Sequence, residues 1–150
     1  DVVRTIYHKN FAQNFLAKIV PFYFSLVYNL FEKESVIQMI NREDNPDFIN
    51  SFLDYSITIL NKSPNSIKEY NYDLSMFFKF MKIHFGLTKE QDFENIKIND
   101  FSVSDLRKIT LNDIHAFISY LAIEQRSKAA TRARKISTIR IFFKYLQVYS

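Results

Sequence analysis

Glycine occurs once in the 150 residues of this chain, as Gly86, and proline only three times. Two-residue hairpin turns depend on glycine to reach positive φ. A multi-stranded sheet joined by tight turns therefore has almost nothing to turn on, whereas Leu, Ile, Phe, Lys and Glu are plentiful and favour helices. The predicted fold class is all-α. With 47% of its residues apolar, a chain of this length can bury a core as one domain, or as one domain with an appendage. The absence of cysteine excludes a disulfide framework and a zinc-thiolate site, and it fits a reducing, cytoplasmic compartment.

Three helices carry their own punctuation. In "NPDFINSFLDYSITIL", Asn45 offers an N-cap, Pro46 suits the first helical position, and Phe48, Phe52, Tyr55 and Ile59 recur at helical spacing. The stretch "KSPNSIKEYNYDLSMFFKFMKIHFG" repeats the device: Ser63 caps, Pro64 opens, and Gly86 stops the helix. Its stripe is Ile67, Tyr70, Leu74, Phe77 and Met81. In "TLNDIHAFISYLAIEQ", Thr110 with Asp113 forms a shortened capping box, and Leu111, Ile114, Ile118 and Leu121 form the stripe, with Phe117 beside it.

Between Leu87 and Lys108 lies a long acidic connection. Phe93, Ile96, Ile98, Phe101, Val103 and Leu106 appear in it without a sustained period, which predicts a loop pinned to the core, with room for a short helical turn. The opening 40 residues are rich in aromatics and hold Pro21, which should kink or divide a helix there. The uncharged run from Ile19 to Phe31 falls short of the ~20 residues a bilayer requires. No membrane span is expected, and a helical hairpin that buries its aromatics against the domain or a partner chain is the predicted form.

The charge is unevenly placed. From Gln125 to Ser150 there are seven basic residues and no acidic one, while the rest of the chain has 13 basic and 16 acidic residues. Such asymmetry marks a surface that meets a polyanion. The same stretch, "SKAATRARKISTIRIFFKYL", starts small and basic and finishes aromatic and branched. Ile136, Ile139, Phe143 and Leu146 share one narrow face, so the second half is predicted to pack on a core. Lys128, Arg132, Arg134 and Lys135 point in several directions, which implies little core beneath the first half. A helix end of this kind, with Ala129, Ala130 and Ala133 among its basic residues, can lie in a DNA major groove. The helix from Ser63 has the same polar start and apolar end. A solvated basic helix end is the bland alternative.

Together these segments carry a family resemblance. "SIKEYNYDL", then "IT..DI..FI.YL" and "S..T..RKIS.IR.FFKYL", in that order and spacing, resemble the N-terminal core-binding domain of tyrosine recombinases of the phage-integrase and Xer type, over about Asp47 to Tyr149. The resemblance implies a four- to five-helix SAM-like bundle that covers one face of duplex DNA, with the aromatic-rich helical N-terminal segment as an addition. The organisation that follows is an extension over residues 1–45 and a core-binding domain over 46–150. By position, Ser63, Asn65, Lys68 and Tyr72 on one helix and Lys128, Thr131, Arg132, Arg134, Lys135 and Arg140 on another are the candidate DNA contacts. In the family most such contacts go to phosphates and few read base edges. Double-stranded DNA and other recombinase protomers, in a tetramer on paired sites, are the implied partners, and the implied location is the nucleoid.

The family's chemistry is not visible. Strand cleavage needs a tyrosine nucleophile, arginines and a His-x-x-Arg motif, yet the residues three after His8, His84 and His115 are Phe11, Leu87 and Ile118. No catalytic residue, metal ligand set or cofactor site is therefore expected, and His115, beside Ile114 and Phe117, reads as a partly buried structural histidine. Either a catalytic domain lies outside this chain or the chain is a stand-alone DNA-binding module. The reading from a different class is a helical protein-interaction module whose basic helix binds an acidic partner.

Overall fold

The computed structural model describes residues 40–149 together with residues 21, 23–28, 31, 34, 35 and 38. The chain divides into two compact units, Asp1–Met39 and Ile40–Ser150. In the first unit the described residues are helical. The expected hairpin and the fate of its aromatics fall largely outside the described residues. No helix of the described residues is long and apolar enough to cross a membrane.

The second unit is all-α among the described residues: α1 (Asp47–Thr58), α2 (Pro64–His84), the short α3 (Val103–Leu106), α4 (Leu111–Ile123) and α5 (Ala129–Tyr149), with 3-10 turns at Arg42–Asp44 and Phe93–Asn95. It begins before the boundary expected at residue 45. Ile40 is buried, and Arg42 bridges to α1 through the Asn50 carbonyl at 3.2 Å and Asp54 at 2.8 Å. These contacts join residues 40–45 to the bundle.

Local signals explain most of the element ends. Ser63 caps α2 by accepting from the Ser66 N–H, and Pro64 opens the helix. Asp113 accepts from the Thr110 backbone N–H at 2.7 Å and from its hydroxyl at 2.7 Å, closing the start of α4. Gly86, at φ +66°, turns the chain away after α2. One cap differs from expectation: Pro46, not Asn45, occupies the N-cap of α1. The Asn45 amide turns away from the helix end and donates to Asn71 Oδ1 on α2 at 2.7 Å and to Asn50 Oδ1 at 3.3 Å.

Helix α2 packs on α1, α4 and α5, and α4 also packs on α5. The core is a cluster of phenyl rings. Phe142 of α5 lies edge-on to Phe52 of α1 at 5.4 Å and to Phe78 of α2 at 5.8 Å, while Phe77 meets Phe117 of α4 at 5.2 Å. All five rings are fully buried, each worth roughly 1.5–3 kcal/mol of transfer free energy. On α4 the buried positions are Phe117 and Leu121, whereas Leu111 is 66% exposed. His115 is exposed, not partly buried, because the core-facing stripe of α4 is set by Phe117.

The connection from Leu87 to Lys108 is pinned as its apolar pattern predicts, with Ile96, Ile98, Phe101 and Leu106 buried and Val103 exposed. Two lysines of α2 hold it as well. Lys82 Nζ donates to the Lys97 carbonyl at 2.9 Å and to Asp100 Oδ1 at 2.6 Å, and Lys79 Nζ donates to the Glu94 carbonyl at 2.8 Å. Each lysine lays its stem along the bundle and directs its charge at the loop.

Candidate nucleic-acid interface

The polar starts of α2 and α5 meet at one carboxylate. Asp73 has no exposed surface, and its two oxygens receive three donors from α5: Lys135 Nζ at 2.9 Å on Oδ1, Arg134 Nη1 at 2.8 Å on Oδ2, and the Thr138 hydroxyl at 2.9 Å on Oδ2. A buried carboxylate is tolerated only when its charge is matched and its lone pairs are used, and both conditions hold here. Arg134 Nη1 also reaches Glu69 at 3.3 Å. Lys135 Nζ lies 4.5 Å from the centre of the Tyr72 ring, a cation–π contact that backs the exposed tyrosine from behind.

This network corrects the expected orientation of α5. Apolar periodicity places Ile136, Ile139, Phe143 and Leu146 inward, yet the buried residues are Lys135, Thr138, Ile139 and Phe142. Two polar residues occupy the buried stripe because Asp73 on α2 stands opposite to receive them. Lys135 is therefore removed from the exposed DNA contacts, being only 3% exposed with its ammonium bound to Asp73. The first half of α5 also has more structure beneath it than expected.

The other candidates divide by position. Ser63, Asn65, Lys68 and Tyr72 are exposed along the first half of α2, and Lys128 is exposed at the start of α5. Thr131, Arg132 and Arg134 are half-buried beside them. The Arg132 guanidinium donates to the Ser127 carbonyl and so ties down the turn into α5. In that turn Ser127 N–H donates to the Leu121 carbonyl at 2.9 Å, and Arg126 takes a φ of +48°. Arg140 is exposed further along α5, beyond Thr138. Of these candidates, the contacts between the two helices join Tyr72 to Lys135, and Arg134 to Glu69 and Asp73. Asp73 and Glu69 were absent from the candidates. The available signal was an aspartate next to Leu74 in the stripe of α2, with Lys135 and Thr138 three residues apart on the other basic helix.

Residues 48–148 match the family model of the phage integrase N-terminal SAM-like domain. The chain belongs to this family. It is similar to a protein named tyrosine recombinase XerC from Caldanaerobacter subterraneus subsp. tengcongensis, with 36% identity over 102 residues, 67% of this chain and 29% of that protein. It is 31% identical over 106 residues to a tyrosine recombinase XerD from Proteus mirabilis, covering 71% of this chain and 28% of the relative. A tyrosine recombinase XerC from Oceanobacillus iheyensis is 26% identical over 100 residues, 67% and 27% of the two chains. The matched stretch thus spans less than a third of each relative's length. No solved structure matches the chain.

Within this SAM-like domain the match starts at the beginning of α1 and ends at the end of α5, so it covers all the helices that build the shared face. Asp73, Arg134, Lys135 and Thr138 sit at the α2–α5 junction and fix how the two polar helix starts stand relative to each other. The first halves of α2 and α5 carry exposed amide, hydroxyl, phenol and ammonium donors, groups suited to phosphate oxygens and base edges. Among the described residues no group of three or more His, Asp or Glu side chains could hold a metal ion.

Proposed function

We propose that this domain binds duplex DNA as one half of the clamp of a site-specific tyrosine recombinase acting on nucleoid DNA, with neighbouring recombinase protomers as its protein partners. The contacts are assigned to Ser63, Asn65, Lys68 and Tyr72 of α2 and to Lys128, Thr131, Arg132 and Arg134 at the start of α5. Lys135 supports the face from behind, and Arg140 lies outside it.

The observation that carries this reading is the junction at Asp73. One buried carboxylate binds the polar halves of two helices together and leaves exposed basic and hydrogen-bonding side chains beside them. A solvated helix end has no need of such a junction. Lys128 and Lys68 attract phosphates, while Ser63, Asn65 and Tyr72 supply hydrogen bonds that fix register. Strand cleavage is assigned to residues outside this domain.

Titration of the chain onto duplex DNA at several salt concentrations tests the reading. Affinity should fall linearly in log–log form, by ~0.9 per neutralised phosphate. Salt-independent binding, or binding only to an acidic polypeptide, would overturn it.

A further inference from the structure

We propose that Glu69 and Arg134 together read a single C·G base pair in the major groove, Glu69 accepting from the cytosine N4 amino group and Arg134 donating to the paired guanine. This rests on the DNA-binding reading above and deepens it by naming the base pair that the face selects.

Glu69 is the odd residue of the surface. Between Ser63 and His84 the acids are Glu69 and Asp73, and α5 contains none. Asp73 is buried, so Glu69, with its side chain 56% exposed, is the carboxylate that α2 presents between Lys68 and Tyr72. Facing a phosphate, it would weaken binding. Facing a base edge, it discriminates. Cytosine offers an amino donor in the major groove, guanine and thymine offer acceptors that repel a carboxylate, and adenine places its N7 acceptor beside its amino donor. A carboxylate therefore favours cytosine.

The partner of cytosine presents guanine O6 and N7 next to that amino group, and an arginine fork is the side chain that matches them. Arg134 stands in that place relative to Glu69. Its Nη1 is 3.3 Å from Glu69 and 2.8 Å from Asp73. That nitrogen donates a hydrogen bond to Asp73 and forms an ion pair with Glu69, and the rest of the guanidinium carries three more N–H groups. Asp73, itself held by Lys135 and Thr138, anchors the guanidinium, and the guanidinium holds Glu69. The acceptor and the fork are ordered before DNA arrives, so little side-chain freedom is lost on binding. Simple repulsion of phosphates would call for an unpaired carboxylate, and this one is neutralised by its neighbour.

The test is selection from a duplex library with a randomised window, using the 150-residue chain and its Glu69→Gln and Arg134→Lys variants, followed by sequencing. The parent should enrich C·G at one position. Glu69→Gln should lose that preference by about tenfold or more, with adenine gaining because glutamine pairs with its N6 and N7. Arg134→Lys should lose discrimination at the same position, because a lysine cannot match the guanine O6 and N7 as a fork. Thermal unfolding of Glu69→Gln should match the parent, because the side chain is exposed. If Glu69→Gln keeps the selected sequence and merely tightens every duplex equally, Glu69 only repels phosphates and the proposal falls. If the parent binds duplexes with normal salt dependence but enriches no position, the proposal falls and the DNA-binding reading stands. Failure to bind any duplex removes both.

Discussion

Lys135 Nζ lies 2.9 Å from Asp73 Oδ1, with both side chains withdrawn from solvent and the two residues 62 positions apart in the chain. Removing one member strands the other charge in the core. Asp73→Ala should therefore destabilise the domain by about 3–5 kcal/mol. Lys135→Met should cost less, because Asp73 keeps Arg134 and Thr138. Urea unfolding of both variants measures the difference, and an Asp73→Ala protein within ~1 kcal/mol of the parent would contradict it.

Lys68 and Lys128 stand exposed on the proposed DNA face, whereas Lys89 and Lys97 lie exposed in the connection. Replacing the first two with glutamine should weaken duplex binding and flatten the salt slope by ~0.9 for each phosphate no longer neutralised. The same change at Lys89 and Lys97 is the charge-matched control. Equal weakening in both pairs would mean that diffuse charge, not this face, holds the DNA. Neither pair should shift stability by more than about 0.5 kcal/mol.

The Asp113 carboxyl sits below the usual aspartate range, first because the Thr110 hydroxyl and backbone N–H donate to it and then because His84 lies 3.0 Å away. A lowered folded value means that its stabilisation is present above the unfolded value of about 3.9 and is lost as pH falls through the folded one. Asp113→Ala should cost about 1 kcal/mol at neutral pH and lose less stability than the parent on acidification. Denaturant midpoints at neutral pH and at about pH 2 test this. An unchanged acid sensitivity would show that other carboxylates carry it.

Lys82 is 5% exposed and closes the connection onto α2 through Lys97 and Asp100. Lys82→Met keeps the stem but leaves the Lys97 carbonyl without this donor, a loss of roughly 1.5–3 kcal/mol for charge-assisted bonds. Limited proteolysis should cut residues 87–108 faster in the variant. Its duplex affinity should match the parent, because the connection lies away from the α2–α5 face.

Local chemistry made most of the elements legible in the sequence. Ser63 with Pro64, Thr110 with Asp113, and Gly86 are boundary signals that act through their own backbone neighbours, so they hold in the fold as they read in the chain. Ile96, Ile98, Phe101 and Leu106 marked the pinned connection because apolar side chains in a loop have to be covered. The order of the helix motifs was sufficient for the family, which the match over residues 48–148 established.

Only the tertiary structure decided which way α5 faces and what its basic residues do. Apolar periodicity assumes that a buried position is an apolar one, and at Lys135 and Thr138 that assumption fails. They turn inward because a carboxylate from α2, more than 60 residues earlier, matches their charge and uses their protons. Asn45 is a smaller instance, ready to cap α1 but drawn to Asn71 by the packing of α2. Sequence by itself determined that α2 starts at Ser63–Pro64, that α4 starts at Thr110, and that the connection is held down by its apolar side chains. The pairing of distant polar groups, whose cost or gain depends on a partner that periodicity cannot see, was settled by the fold.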